Sequence, residues 1–97
     1  MTYDKAIREN DVTMTEFYAT WCPHCQRMMP IVEQVKELID GRAGIIQLDI
    51  DKNQEAANAE HVESVPTFII YKNGKEVWRN TGELDGEVLL GKLESFA

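Results

Sequence analysis

The sequence predicts an α/β fold in which a mixed four-stranded sheet is covered by helices on both faces, in the order α-β-α-β-α-β-β-α. Runs rich in β-branched and aromatic residues alternate with segments whose apolar residues recur every three or four positions. Strands separated by helices imply right-handed crossovers, whereas the dipeptide Asn73-Gly74 predicts an antiparallel hairpin at the end of the sheet. With 97 residues, the chain is expected to form one domain over residues 1–97.

The first helix and the first strand are expected to be short. Residues Tyr3 to Asn10 predict an amphipathic helix with Ala6 and Ile7 facing inward. Residues Val12 to Tyr18 predict a strand, although each of its faces mixes polar and apolar side chains. One face carries Val12, Met14, Glu16 and Tyr18, and the other carries Thr13, Thr15 and Phe17.

Residues Pro23 to Ile39 predict a long helix. Pro23 suits its first turn, where the missing N–H would have no partner. Pro30 lies inside the helical pattern and should kink it. The side chains expected to face inward are Met28, Ile31, Val32, Val35, Leu38 and Ile39, and Met29 is also expected to pack.

A strand and a short helix are expected to follow. Residues Gly44 to Ile50 predict a buried strand, because most of them are β-branched or otherwise apolar. Asn53 is a plausible cap for a short helix from Gln54 to His61, which is rich in alanine and glutamate.

The last part of the chain predicts a hairpin and a helix. Residues Thr67 to Tyr71 give the strongest strand signal in the sequence, and Lys75 to Thr81 return antiparallel after a type I′ turn at Asn73-Gly74. Asp85 is expected to cap the final helix. The inward-facing residues of that helix are Val88, Leu89, Leu93 and Phe96.

Charge and hydropathy exclude several classes of function. Ten basic and seventeen acidic residues give a net charge of −7, which argues against a nucleic-acid surface and against binding to an anionic membrane. No stretch approaches the ~20 apolar residues of a membrane span. The polar start, Met1 to Lys5, does not fit a signal peptide and favours the cytoplasm. Met1 would equally fit a start that follows a removed signal, which would mean a periplasmic or other extracytoplasmic protein.

The most informative motif is the pair Cys22 and Cys25, which are the only cysteines of the chain. Positions i and i+3 of a helix share one face, so the two thiols can close a disulfide if the Cα separation suits. A strand before the pair and a helix after it favour a redox motif. Zinc binding by this pair with His24 and His61 is the alternative. His24 lies between the cysteines and the spacing to His61 fits no common finger, so no metal site is predicted.

Together these residues resemble the thioredoxin-like thiol-disulfide oxidoreductases. The resemblance covers about Tyr3 to Phe96 and implies a minimal thioredoxin fold that lacks the first edge strand of the family. The matching motifs are the aromatic approach Phe17 to Cys25, Pro30 in the following helix, Val65-Pro66-Thr67 as the cis-proline loop, the hairpin at Tyr71 to Lys75, and Gly82 before the last helix.

The sequence departs from thioredoxin proper at three places. Pro23-His24 stands between the cysteines instead of Gly-Pro, and this dipeptide resembles that of the periplasmic disulfide oxidases. Glu16 occupies the position of the family's buried aspartate, and Gln47 that of a neighbouring lysine. Proton handling and reduction potential are therefore expected to differ.

The resemblance and the position at a helix start assign roles to the site residues. Cys22 is expected to be the nucleophile, because a helix N-terminus favours a thiolate, and Cys25 the resolving thiol. Glu16 is a candidate proton acceptor for Cys25; the alternative is a carboxylate that reaches water at the sheet end. Pro23 and His24 are expected to tune the potential, since a protonated His24 would stabilise the Cys22 thiolate. The alternative for His24 is a solvated side chain with little effect.

A substrate groove is expected beside the cysteine pair. The resemblance implies a cis peptide bond before Pro66, with the Val65 backbone free to pair with an extended substrate. Trp21 is expected to flank the groove, although core packing is the alternative. The groove would be formed by Trp21, Val65, Pro66, Thr67 and Gly82.

The favoured function is reduction of protein disulfides through the Cys22–Cys25 dithiol, with a raised reduction potential. No cofactor beyond that disulfide is expected. Electrons would come from a flavoprotein disulfide reductase or a membrane thiol donor, and the protein is expected to be a monomer. One alternative is a disulfide oxidase or isomerase outside the cytoplasm. Another is a non-enzymatic binding module that uses the same fold.

Overall fold

A computed structural model describes residues 2–97, so Met1, whose status as the native start was left open, lies outside the described residues. The element order is the one predicted from the sequence. The helices are α1 (Tyr3–Ala6), α2 (Pro23–Ile39), α3 (Gln54–Ala59) and α4 (Gly86–Phe96). The strands are β1 (Val12–Tyr18), β2 (Gly44–Asp49), β3 (Thr67–Lys72) and β4 (Lys75–Thr81).

The four strands form one mixed sheet in the order β2-β1-β3-β4. β1 runs parallel to β2 and antiparallel to β3, and β3 and β4 form the predicted hairpin. Asn73 and Gly74 have φ values of 52° and 81°, as a type I′ turn requires. β2 lies at an edge of the sheet, which explains why its residues are half-buried and not fully buried as expected.

β1 is the central element of the fold. Hydrogen bonds to strands on both sides and helices on both faces bury all its residues from Val12 to Phe17. Met14 packs with the α2 and α4 side chains, whereas Phe17 packs with residues before β1 and in α3. The mixed polarity of this strand in the sequence therefore arises from polar side chains that are placed inside the protein, not from a solvent-exposed face.

Two hydrophobic cores lie on the two faces of the sheet. The larger one, beneath α2 and α4, contains Val12, Met14, Met28, Val32, Val35, Ile39, Ala43, Phe68, Ile70, Leu89 and Leu93. The smaller one, beneath α1 and α3, contains Ile7, Phe17, Ala57, Ile69 and Tyr71. No helix of residues 2–97 has both the length and the apolar character needed to cross a membrane.

Three residues expected to be inside are exposed. Leu38 is 59% exposed, Met29 55% and Val88 49%. Each lies on a helix whose buried face is narrower than its apolar stripe, because α2 and α4 cover the sheet from one side only. The inward assignment of Leu38 and Val88, and the packing of Met29, were therefore wrong.

Some element ends also differ from the prediction. α1 stops at Ala6 and Ile7 is its buried C-cap, because the chain must turn over exposed polar residues to enter β1. α3 stops at Ala59, and His61 adopts a left-handed φ of 58°. α2 continues through Pro30.

The two predicted caps stand at the correct positions but do not cap with their side chains. Asn53 instead donates from Nδ2 to the Asp49 carbonyl oxygen at 2.9 Å. This bond ties the start of α3 to the end of β2.

Thr13 and Thr15 of β1 provide a matched test of buried hydroxyl groups. Both are fully buried. Within residues 2–97 the Thr13 hydroxyl has no hydrogen-bond partner, whereas the Thr15 hydroxyl lies 3.0 Å from Tyr3 Oη. Thr13→Val is expected to raise the free energy of unfolding by about 1 kcal/mol, and Thr15→Val to lower it by about 1 kcal/mol. Urea unfolding measures both changes, and equal effects of the two substitutions would contradict the assignment.

Candidate active site

The cysteine pair lies at the junction between β1 and α2. β1 ends at Tyr18, and Cys22 is the N-cap residue of α2 with φ −90° and ψ 118°. Pro23 occupies the first turn, as predicted. This backbone geometry directs N–H groups of the first helical turn towards the Cys22 side chain.

These contacts lower the pKa of the Cys22 thiol. The largest cause is the Cys25 backbone N–H; the Cys25 side chain, the His24 backbone N–H and the charge of Arg27 add to it, while burial opposes it, and no full capping hydrogen bond forms to the Cys22 side chain. Cys22 is 6% exposed, so little of the residue is open to solvent. The result is a thiol that ionises more easily than an ordinary one.

Cys25 has the opposite properties. It lies one helical turn further on, is 1% exposed, and is a free thiol like Cys22. Burial raises its pKa to about 12, and the hydrogen bond and charge of Cys22 and the charge of Glu16 act in the same direction. The pair therefore consists of one activated thiol and one that stays protonated.

Glu16 lies within the core on the α2 side of β1. It is 1% exposed, and burial raises its pKa, which hydrogen bonding to Gln47 and the charge of Lys36 partly oppose. Gln47 Nε2 donates to Glu16 Oε1 at 2.9 Å, and Lys36 Nζ donates to Gln47 Oε1 at 2.6 Å. Glu16 is therefore not an open carboxylate exposed at the sheet end.

The sequence identified Glu16 and Gln47 but not Lys36. Pairing of Glu16 with Gln47 in the β1–β2 register brings the two side chains together. Lys36 reaches them from α2, and no local pattern pointed to this contact. A cavity of about 210 Å³ borders Glu16, Gln47 and Glu33 and is large enough for water.

The Val65–Pro66 loop faces the cysteine pair. The Val65–Pro66 peptide bond is cis, and the Cys22 sulfur lies 3.8 Å from the Val65 carbonyl oxygen. Gly82, at φ 101°, donates its N–H to the Pro66 carbonyl oxygen at 2.8 Å. Thr67 is buried and donates from Oγ1 to the Ser64 carbonyl oxygen at 2.7 Å, so it holds the loop from inside.

Trp21 flanks the pair from the solvent side. Its side chain is 64% exposed, and its Nε1 donates to Asp51 Oδ2 at 3.0 Å. The alternative of core packing is therefore wrong for Trp21. Asp51 was not predicted, because it follows β2 and is 30 residues away in sequence.

The His24 ring contacts a charged cluster. Its Nδ1 lies 2.6 Å from Glu83 Oε2 and 2.9 Å from Arg27 Nη2. The backbone N–H of His24 helps to lower the pKa of Cys22, and the charge of Arg27 acts in the same direction. Arg27 was detectable in the sequence three positions after His24 on the helix. Glu83 lies 59 residues from His24 and had no local signal.

Among residues 2–97, no three His, Cys, Asp or Glu side chains are arranged to hold a metal ion. What the site offers is an activated thiol, a protonated thiol one turn away and a buried carboxyl group near the second. Such an arrangement can form and break disulfides by thiolate attack.

Comparisons with known proteins agree with this geometry. The family model described as thioredoxin matches residues 1–95. A thioredoxin from Staphylococcus epidermidis is 38% identical over 80 residues, which are 82% of this chain and 76% of that protein. The solved structure of a mutant thioredoxin from Halobacterium salinarum NRC-1 has a TM-score of 0.87 and 35% identity, and the match covers 96% of this chain and 80% of that one.

A plastid protein is similar over almost the whole chain. It is thioredoxin Y, chloroplastic, from Oryza sativa subsp. japonica, which is 36% identical over 95 residues. These residues are 97% of this chain but only 56% of the rice protein, so the chain spans little more than half the length of that relative. The family match, the sequence identities and the shared fold lead to one conclusion: the chain belongs to the thioredoxin family.

Proposed function

We propose that this protein reduces disulfide bonds of other proteins by dithiol exchange. The observation that carries the proposal is the asymmetry of the two thiols. The pKa of Cys22 is lowered by N–H groups at the start of α2, and that of Cys25 is raised to about 12 by burial. An enzyme of this kind needs one thiolate to attack and a second thiol that waits until the first step is complete.

The exchange proceeds in two steps. The Cys22 thiolate attacks one sulfur of the substrate disulfide; a Cys22–substrate disulfide forms, and the second substrate sulfur leaves as a thiolate and takes up a proton. Cys25 then loses its proton and attacks the Cys22 sulfur. The Cys22–Cys25 disulfide forms, and the remaining substrate thiolate leaves. Two electrons pass to the substrate, and no cofactor beyond the cysteine pair takes part.

Glu16 supports the second step as a general base. A thiol with a pKa of about 12 is a poor nucleophile at neutral pH unless a base removes its proton. Burial raises the pKa of Glu16, so that its carboxylate accepts a proton more readily than an exposed one. The adjoining cavity provides a route by which that proton can exchange with solvent.

The substrate groove is formed by Trp21, Val65, Pro66 and Gly82. An extended substrate segment pairs with the Val65 backbone, which lies beside the attacking sulfur. Trp21 offers an exposed aromatic surface on the other side. No extra element covers this groove in residues 2–97, and an open groove favours a broad choice of substrates.

The reduction potential is expected to lie above that of thioredoxin proper. The N–H groups of α2 and the Arg27 charge stabilise the Cys22 thiolate and hence the reduced form. We propose action in a reducing compartment such as the cytoplasm, with electrons from a flavoprotein disulfide reductase or a membrane thiol donor. Oxidase or isomerase activity outside the cytoplasm is the second candidate, favoured by the Pro23-His24 dipeptide.

The two cysteines are expected to differ in a trapping experiment. Cys25→Ser should accumulate a mixed disulfide with a disulfide-bonded model protein such as insulin, because attack by Cys22 is intact and resolution is lost. Cys22→Ser should form no mixed disulfide and show no reductase turnover. Non-reducing electrophoresis and mass spectrometry detect the adduct. Trapping through Cys25 alone would reverse the assigned roles, and partner binding without turnover in the natural protein would favour a binding module.

The pH dependence of alkylation tests the asymmetry directly. Iodoacetamide should modify Cys22 of the reduced protein at neutral pH, with a midpoint below that of an ordinary thiol at about 8.5. Cys25 should stay unmodified at these pH values, because its pKa is about 12. Peptide mapping by mass spectrometry assigns the modified thiol. Equal labelling of both cysteines at pH 7 would contradict the proposal.

Glu16→Gln is expected to slow resolution by Cys25 by about tenfold or more at pH 7, because the general base is lost. Quenched-flow decay of a preformed Cys22 mixed disulfide measures that rate. Glu37→Gln, at an exposed carboxyl group further along α2, is the matched control and should leave the rate unchanged; Glu33 is unsuitable because it accepts a hydrogen bond from Lys36.

The same substitution should stabilise the fold at high pH. The raised pKa of Glu16 means that the folded state holds the proton more tightly than the unfolded chain. The stability that protonated Glu16 contributes is complete at pH values below the ordinary glutamate pKa of about 4.3. It is lost as the pH rises through the raised pKa of Glu16 in the folded protein. Glutamine does not ionise, so the gain in Tm of Glu16→Gln should be larger at pH 8 than at pH 4. A gain independent of pH would contradict the shifted pKa.

A further inference from the structure

We propose that Glu83 restrains the oxidising strength of the Cys22–Cys25 couple by binding His24 and Arg27, the two side chains beside Cys22 that can carry positive charge. The inference rests on the dithiol exchange proposed above. It assigns a residue that influences whether the Cys22–Cys25 couple acts as a reductant or as an oxidant. Glu83 would be a tuning residue that acts through its neighbours and does not touch the reacting sulfur atoms.

The Arg27–Glu83 pair has the geometry of a strong ion pair. Arg27 Nε donates to Glu83 Oε1 at 3.0 Å, and Arg27 Nη2 donates to Glu83 Oε2 at 2.7 Å. Two parallel bonds between a guanidinium and a carboxylate fix both side chains. The guanidinium that lies near the Cys22 thiolate is therefore oriented by Glu83.

His24 belongs to the same cluster in either protonation state of Nδ1. A protonated Nδ1 donates to Glu83 Oε2 at 2.6 Å, and an unprotonated Nδ1 accepts from Arg27 Nη2 at 2.9 Å. Neither arrangement brings this nitrogen to the Cys22 sulfur. A histidine between the two cysteines would otherwise be well placed to stabilise the thiolate.

Glu83 is charged at every pH at which the protein would work. Hydrogen bonds from Arg27 and His24 hold the pKa of Glu83 down to about 2. Its negative charge therefore offsets the positive charge that Arg27 presents to Cys22. Without it, the net charge of the cluster would rise by one unit.

The backbone before Glu83 is part of the groove. Gly82 donates to the Pro66 carbonyl oxygen at 2.8 Å and adopts a φ of 101° that favours glycine. The segment between β4 and α4 that carries Glu83 is thus hydrogen-bonded to the loop that faces the cysteine pair. The position of Glu83 is fixed by the same contacts that hold the cis-proline loop.

Two consequences combine into one expectation. Glu83 offsets the positive charge of Arg27 near the site where a thiolate forms, and it occupies His24. Both disfavour the reduced form relative to a protein without Glu83. The Pro-His dipeptide is compatible with a reductase because this carboxylate limits its effect.

The test is the equilibrium of the full chain with glutathione. The reaction converts the dithiol and one glutathione disulfide into the Cys22–Cys25 disulfide and two glutathione thiols. Glu83→Gln is expected to lower its equilibrium constant by about threefold or more, since a more oxidising couple is harder to oxidise. The ultraviolet absorbance of the Cys22 thiolate should also titrate at lower pH. Glu37→Gln, an exposed carboxyl group further along α2, removes the same charge and should change neither quantity.

A second set of variants separates the cluster from a direct charge effect. With both His24 and Arg27 replaced by Gln, Glu83→Gln should shift the equilibrium by less than about half as much as in the natural protein, because the positive groups that Glu83 binds are gone. A shift of undiminished size would overturn the proposal, and so would a Glu83→Gln couple identical to the natural one. Circular dichroism melting identifies any variant that does not fold. If one of the two comparisons is lost for this reason, the equilibrium constant measured for the Glu83→Gln variant that does fold decides the proposal.

Failure of this inference is distinguishable from failure of the proposed function. If the natural protein exchanges with glutathione and reduces insulin but Glu83→Gln has the same equilibrium constant, only the role of Glu83 is wrong. If the natural protein does not form the Cys22–Cys25 disulfide at any glutathione ratio, the dithiol exchange itself is refuted.

Discussion

The site depends on one constraint: a fully buried central strand that ends beside the first turn of a long helix. β1 is hydrogen-bonded on both edges and covered on both faces, so its direction and its end are fixed. The chain then has only residues 19–21 in which to reach α2. Cys22 must therefore stand at the helix start, where backbone N–H groups meet its sulfur. The rest of the site, including the depth of Cys25 and the position of Glu16, follows from this junction.

The same strand carries Glu16, whose proposed role in catalysis opposes its contribution to stability. A central strand of a small protein would be most stable with apolar side chains alone, but β1 carries Glu16 in its buried segment. Gln47 and Lys36 provide partial compensation through a hydrogen-bonded chain that leads towards the surface. A buried carboxyl group with a raised pKa is unfavourable for the fold at neutral pH and useful for moving a proton. This opposition is typical of residues kept for chemistry.

Sequence reasoning reached the features that depend on local order along the chain. The helix start at Pro23 and the hairpin turn at Asn73 each have a signal within a few residues, whereas the burial of Glu16 was expected only from the family resemblance. The cluster at His24 had no such signal, because its partner Glu83 comes from a loop 59 residues away. The apolar spacing along α2 also could not predict which of its side chains are exposed. Leu38 continues the apolar stripe, and only the packing of α2 on the sheet shows that it lies outside the buried face.

The position of Cys22 at the start of α2 also links electron transfer to folding. The N–H groups that stabilise its thiolate are aligned only while the helix is formed, and they are lost when the chain unfolds. By thermodynamic linkage, whatever favours the reduced couple in the folded protein must, in equal measure, favour folding of the reduced chain over that of the oxidised chain. The reduced and oxidised proteins therefore have the same fold but different free energies of unfolding. The difference between these free energies includes the stabilisation that the start of α2 gives to the Cys22 thiolate.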